Sequence, residues 1–477
     1  MTQRPRHVVV IGNGMVGARF AEEAARRDPA GERVRVTVVG AEAEPAYNRV
    51  LLPRLLAGDL AGPDLLFPAV EGPAVTVRTG VAATAFDPAR RRVDLDDGDT
   101  LHYDELVLAT GSRAALPPVD GLTADGGPAP GASTLRDLAD CRRVLGHARP
   151  GAPVAVLGGG LLGLETARAL AARGARVTVV EPAPRLMPRQ LDAAAAAILA
   201  VELRALGVDA LTGRTAARWE PGHGLLLDDG RLVAADSVVV AAGVRAATEL
   251  ACAAGLAVDR GILVDDALAT SAPRVHAIGD CAQHPDGGAG LVQPGWEQAA
   301  VLADLLTGSA PHARYRGGAV VTRLKAEGVE LTSLGEVDAE AETLTLSDPH
   351  GRRYAKLSVR SDRVVGAILL GFPDAAATIT QLFDLGAPVP ADRLALLLGR
   401  ALPEPAAGDP QGAAPALVCR CNGVTRDQLS DAWRCGARTR EALAEATRAT
   451  TGCGGCVRDV NALLAAWDDT APVTVPG

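Results

Sequence analysis

The chain opens on an uninterrupted apolar run, Val8-Val9-Val10-Ile11, followed at once by Gly12-Asn13-Gly14-Met15-Val16-Gly17. Good helix formers fill residues 18–27, and the next strand reads over 34–39. A short run with no polar alternation reads as a strand buried on both faces, so this stretch predicts strand, turn, helix, strand. The order repeats from Val154, with a strand at 154–157, Gly158-Gly159-Gly160-Leu161-Leu162-Gly163, a helix over 164–173 and a strand over 176–180. Two such openings within ~150 residues predict two nucleotide-binding lobes.

Later runs close these lobes. Residues 104–111 read as a buried strand entering a tight turn at Thr110-Gly111, and 237–243 as its counterpart ending at Gly243. A strand near 274–278 runs into Gly279-Asp280, and 297–306 read as a helix. From about 315 the pattern changes to short alternating strands (330–334, 343–346, 355–359, 364–370) and then helices. Residues 402–416 hold Pro403, Pro405, Pro410 and Pro415 among Ala and Gly, which marks a linker with a reach of ~21 Å that would let the last segment move. The expected layout is a first lobe of 1–113 plus 245–314, a second of 114–244, an α+β unit of 315–400, a linker of 401–416 and a small module of 417–477.

Composition narrows the function. Hydrophobic residues make up 48% of 477, enough for several cores, and the net charge of −9 disfavours a polyanion such as nucleic acid. No apolar run reaches the ~20 residues of a membrane span and no signal peptide is apparent, so the expected compartment is cytoplasmic, with no membrane partner. Of 48 basic residues only Lys325 and Lys356 are lysine, a bias that carries no mechanism by itself.

The chemistry lies in three places. In a G-x-G-x-x-G turn between strand and helix, the first glycine makes the turn, the second lets backbone reach a pyrophosphate, and the third lets helix and strand pack. Gly12, Gly14 and Gly17 supply one set, and Gly158, Gly160 and Gly163 the other. Glu181, 18 residues after Gly163, is placed to accept ribose hydroxyls and to repel a 2′-phosphate, so NADH is expected over NADPH. In the first lobe the nearest acid to the strand end is Glu42, a looser match. Cys419, Cys421, Cys453 and Cys456 form a quartet suited to zinc or a 2Fe–2S cluster, and the C-x-C half argues against zinc. Cys435 is not counted as a ligand; Cys141, Cys252 and Cys281 stand alone, so no dithiol relay is expected beside a flavin.

Several stretches together are more specific: Ala46-Tyr47-Asn48-Arg49-Val50-Leu51-Leu52, Leu108-Ala109-Thr110-Gly111-Ser112, Ala277-Ile278-Gly279-Asp280-Cys281 and Thr322-Arg323-Leu324-Lys325. With Pro184-Arg185-Leu186-Met187-Pro188-Arg189-Gln190 and Gly290-Leu291-Val292-Gln293-Pro294-Gly295-Trp296-Glu297-Gln298, they resemble the two-dinucleotide-fold pyridine-nucleotide flavoprotein reductases. Within these the chain resembles the N-terminal half of assimilatory NAD(P)H-nitrite reductase large subunits and the related electron-transfer subunit of assimilatory nitrate reductase. The last module resembles the bacterioferritin-associated-ferredoxin-like 2Fe–2S domain.

The resemblance implies an α/β chain with two Rossmann-like domains, one for FAD and one for NAD, a small α+β domain and a C-terminal 2Fe–2S domain. It implies that Gly12, Gly14 and Gly17 hold the FAD pyrophosphate, that Arg49 and Arg54 lie near the flavin, that Thr110 and Gly111 line the site, and that Asp280 holds the ribityl chain. Gly243 and Gly279 are counted with the cofactor-binding positions, and no side chain is assigned as acid or base. The expected path is NADH to FAD to the 2Fe–2S cluster to a partner nitrate or nitrite reductase catalytic subunit, with no nitrite-reducing centre expected in the chain. Two other readings stand: a stand-alone NADH:rubredoxin or ferredoxin reductase, and a flavoprotein whose last module serves docking or iron sensing.

Overall fold

A computed structural model of the chain describes residues 4–470 apart from 71, 288–289, 319, 336–339 and 401–416. The linker expected at 401–416 therefore lies outside the described residues. The chain divides into two compact units, one of 1–52, 60–115 and 243–318, the other of 53–59, 116–242 and 319–477.

In the first unit the opening run forms strand β1 (Arg6–Ile11), leading through the glycine turn into helix α1 (Met15–Arg27) and strand β2 (Val34–Gly40). β1 is central, flanked by β2 and then Val75–Thr79 on one side and by Glu105–Leu108 and Val275–Ala277 on the other, all parallel. Val8, Val9 and Val10 are fully buried because both sheet faces are covered, which is why the sequence shows no alternation there. Each such side chain contributes about 1.5–3 kcal/mol by leaving water. α1 turns Phe20, Ala21 and Ala24 inward, and its Arg27 clamps Asp304 of helix Val292–Thr307 with two bonds of 2.6 and 3.0 Å. Buried Glu23 collects Arg19, Arg26 and Arg27; against the burial that would raise it, these cations hold its carboxyl down to about 2.

The helix Val292–Thr307 starts five residues before the stretch expected from sequence. Pro294 and Gly295 fall in its first turn; glycine disfavours a helix, while Pro is compatible with a first helical turn. Gly295 is packed so tightly that a Cβ would stand 2.7 Å from Val16. Tertiary packing overrides the local signal.

The second unit repeats the plan with strand β3 (Pro153–Leu157), helix α2 (Leu161–Ala172) and strand β4 (Arg176–Glu181). β3 is again central, between β4 with Val208–Thr212 and Ser237–Val240 with Ala132–Thr134, all parallel. An antiparallel sheet follows in the order β5 (Val321–Leu324), Leu331–Gly335, Arg363–Leu370, Arg353–Arg360 and Glu342–Asp348, with β5 on its edge. Helix Pro373–Leu385 buries Ala375, Ile379 and Leu382 against it. Polar bonds tie the antiparallel sheet and its edge to helices of the parallel lobe: the Asp192 carboxylate, at the start of helix Ala193–Ala205, accepts from Tyr354 Oη at 2.6 Å and Lys356 Nζ at 3.3 Å, and Glu165 of α2 accepts from the Lys325 N–H at 2.9 Å.

The last module has two short strands, Leu417–Cys419 and Val424–Thr425, and helices Arg426–Arg434, Arg440–Thr447 and Val457–Thr470. Thr425 and Gln428 form a reciprocal capping box at the first of these helices. No helix among the described residues is long and apolar enough to cross a membrane.

Candidate functional site

The two glycine turns are built alike to the level of single hydrogen bonds. Gly12 N–H donates to Val39 O at 2.8 Å and Gly158 N–H to Val180 O at 2.9 Å; Ala109 N–H reaches Ile11 O and Ala241 N–H reaches Leu157 O. Gly12 (φ +117°) and Gly158 (φ +115°) lie where a Cβ would meet the carbonyls of Ala109 and Ala241 at 2.2 and 2.4 Å. A Cβ on Gly17 or Gly163 would stand 1.9 Å from the first glycine's carbonyl in its own lobe. These four are glycine for packing. Gly14 and Gly160 differ: a Cβ there meets nothing within 4 Å.

Those two middle glycines are the N-caps of α1 and α2, with no side-chain cap and no acid in the first turn. Uncapped N–H groups and the positive end of the helix dipole therefore face open space in each lobe, where pyrophosphate oxygens fit.

Around the first turn, Thr110 Oγ1 donates to Ala247 O at 2.7 Å, and Gly111 adopts φ +69°. Ser112 Oγ donates to Asp280 Oδ2 at 2.8 Å and Gly290 N–H to Oδ1 at 3.2 Å, so Asp280 is held from two sides. Gly279 (φ +77°) donates its N–H to Gln298 Oε1 at 2.7 Å, and Gly243 takes φ +103° with free space around it. Glu42 accepts from Tyr47 Oη at 2.6 Å and from Arg49, whose guanidinium lies 4.8 Å over the Tyr47 ring. The two expected ligands Glu42 and Arg49 are thus partners of one another. Arg54 pairs with Asp59 at 3.7 Å. Cys281 is fully buried and its Sγ donates to the carbonyls of Leu108 and Ile278; burial pushes its thiol up, as a packed residue and not a nucleophile.

In the second lobe Glu181 ends β4, and its carboxylate accepts from the N–H of Gly159 at 2.6 Å and of Ala183 at 2.8 Å. Both oxygens are aimed by backbone and keep lone pairs for ribose hydroxyls. Glu181→Ala is expected to raise the NADPH-to-NADH ratio of kcat/KM by about tenfold, because the charge that repels a 2′-phosphate is removed. Steady-state kinetics with both nucleotides measure it, and an unchanged ratio contradicts the assignment.

The four cysteines come together. Cys419 and Cys421 Sγ stand 3.7 Å apart; the Cys419 thiol also bonds that of Cys456, and the Cys421 thiol that of Cys453. A tetrahedral metal with ~2.3 Å bonds to sulfur sets ligand sulfurs about 3.7–3.8 Å apart, so the first pair already has the edge length of a metal-thiolate site. Cys453 and Cys456 also act on one another and each on Cys419, so the four thiols form one cluster. Four clustered thiols supply the two thiolates that each iron of a 2Fe–2S cluster takes.

The surrounding backbone fits thiolates. Hydrogen bonds from Cys421 and Cys456, with the N–H groups of Thr450 and Asn422, hold the Cys419 thiol well below its ordinary value despite burial. Thr450, β-branched yet at φ +71°, is strained in order to aim that N–H. Asn422 Nδ2 lies 3.6 Å from Cys419 Sγ and donates to Arg448 O at 2.7 Å, joining the two cysteine loops. Sequence reasoning missed Ser112, Asn422 and Thr450; Asn422 had a usable signal, an amide directly after C-x-C.

Comparison with known proteins gives three family matches. Residues 6–301 match the pyridine nucleotide-disulphide oxidoreductase family, 321–384 the rubredoxin NAD+ reductase C-terminal domain, and 417–466 the BFD-like [2Fe-2S] binding domain. A nitrite reductase [NAD(P)H] of Bacillus subtilis (strain 168) is 34% identical, over 96% of this chain and 57% of its own length. The assimilatory nitrate reductase electron transfer subunit of the same organism is 31% identical, over 99% of this chain and 62% of its own. The chain thus spans about three-fifths of these relatives. Among solved structures, that of the covalent putidaredoxin reductase–putidaredoxin complex has a TM-score of 0.74 at 26% identity, over 82% of this chain and 96% of that one.

Proposed function

The chain belongs to the pyridine nucleotide-disulphide oxidoreductase family, as an FAD-dependent, NAD(P)H-using oxidoreductase with a 2Fe–2S domain, and on that footing we propose that it is an electron-transfer component. Electrons pass from NADH through FAD and the cluster to a nitrate or nitrite reductase catalytic subunit. The observation that carries the reading is the presence, in one chain, of two glycine-capped helix starts facing open space and a cluster of four thiols. When bound, FAD supplies the conversion of a two-electron hydride into single electrons, and the 2Fe–2S cluster supplies a one-electron carrier.

The chain's own residues bind and orient. The first-turn N–H groups of α1 and α2 take pyrophosphates, Glu181 selects the unphosphorylated ribose, and Asp280, steadied by Ser112, holds a hydroxylated chain at the other turn. No proton transfer by a side chain is required. Among the described residues no thiol neighbours Cys281 to form a dithiol relay, despite the family's name.

Anaerobic purification of the whole chain tests the proposal. The protein is expected to show flavin and iron–sulfur absorption, to bleach with NADH, and to reduce one-electron acceptors but neither nitrite nor nitrate by itself. A colourless preparation that NADH leaves unchanged sinks it.

A further inference from the structure

The cysteine module is fixed to the antiparallel sheet by cations. Arg323, on edge strand β5, donates from Nη1 to Gly455 O at 2.5 Å, inside the loop between Cys453 and Cys456. The fit is close: a Cβ on Gly455 would stand 3.2 Å from Arg323 Cδ. On helix Pro373–Leu385, Asp374 pairs with Arg458 at 2.8 Å in an exposed contact, and Asp384 pairs with Arg420 where both are little exposed. Lys325, the residue after β5, is fixed by its main-chain N–H, which donates to Glu165 at 2.9 Å, and its charge lies near enough to act on Cys453. It is one of only two lysines among 48 basic residues.

We propose that Arg323 and Lys325 are positioning residues that set the reduction potential of the cluster, holding it high enough to accept an electron from reduced flavin. The inference rests on the reading of the quartet as a 2Fe–2S site. Reduction takes one electron from the flavin and adds one negative charge to a site already ringed by thiolates. Cations fixed beside it from another element stabilise the reduced form more than the oxidised one, and in a partly buried site they act with little screening. Two acids lie close, Glu165 and Asp459; burial pushes both carboxyls up, Asp459 against Arg323 and Arg458, so they offset the cations less than exposed carboxylates would. No covalent step is involved.

The test is an EPR-monitored redox titration of the full chain carrying its cluster. Arg323→Gln and Lys325→Gln are each expected to lower the cluster's electron affinity about tenfold, a shift of about 59 mV for one electron, while the flavin potential and NADH-to-flavin transfer stay unchanged. Arg323→Lys, which keeps the charge, is expected to stay near wild type. The inference is overturned if both glutamine variants titrate at the wild-type potential with intact EPR signals, or if Arg323→Lys falls as far as Arg323→Gln. Lys325→Gln leaves the main-chain bond to Glu165 in place, so it decides the matter alone should Arg323→Gln assemble no cluster. A wild-type chain without iron or signal overturns the reading of the quartet itself, and this inference with it; a normal wild-type signal with unshifted variants overturns the inference only.

Discussion

Replacing Cys453 with serine is expected to remove the iron–sulfur absorption and to slow NADH-driven reduction of a one-electron protein acceptor by at least about 100-fold. Reduction of the flavin by stoichiometric NADH should continue at the wild-type rate. The reason lies in the thiol's setting. A hydrogen bond from Cys421, then Lys325 and the Gly455 N–H, hold the Cys453 thiol down to about 6 against burial, so it binds metal as a thiolate at neutral pH. Serine offers no comparable anion. Cys435→Ser is the control: that thiol is exposed and not one of the four clustered thiols, and its loss should leave iron content and turnover as they were. Stopped-flow flavin reduction, iron analysis and acceptor turnover on the same preparations separate the steps. Turnover that survives in Cys453→Ser, with iron gone, would show that electrons leave directly from the flavin, and the module would then be a docking or sensing element.

Much of the fold was legible because its signals are local. Fully buried parallel strands announce themselves as unbroken apolar runs, and β1 and β3 differ from their sequence reading only by a residue or two at an end. The glycine turns were legible as motifs, yet sequence alone could not separate glycines required by packing from those left open to a ligand. For Gly12 and Gly158 that distinction depends on carbonyls 80–100 residues away, such as Ala109 beneath Gly12. The pairing of Glu42 with Arg49 was equally hidden, since both were read separately as cofactor contacts. The cysteine quartet was legible from spacing, whereas its neighbour Arg323 comes from a strand some 130 residues earlier. Nothing in the periodicity of β5 marks that cation as facing the loop of Gly455. Long-range juxtaposition is what a single sequence withholds.

The sharpest separation of binding from packing is between Gly160→Ala and Gly163→Ala. Gly160 sits at φ −83° with no atom within 4 Å of a Cβ, so alanine there is sterically free. As an N-cap it costs at most about 1 kcal/mol, and the melting temperature of the cofactor-free chain should shift by only a few degrees. Its methyl nevertheless fills the space over the first turn of α2, where a pyrophosphate would approach. The KM for NADH is therefore expected to rise about 10–100-fold, while dithionite still reduces the flavin normally. Gly163→Ala reverses the pattern. Its Cβ would stand 1.9 Å from Gly158 O, a contact with backbone that no rotamer relieves, so α2 must move away from β3. A loss of about 1–3 kcal/mol or more and a clearly lowered melting temperature should precede any kinetic effect. Calorimetry with NADH titrations on both variants makes the comparison. Wild-type NADH affinity in Gly160→Ala would mean that the open space above that helix start is not where the dinucleotide lies, and the assignment of the second lobe would have to be abandoned.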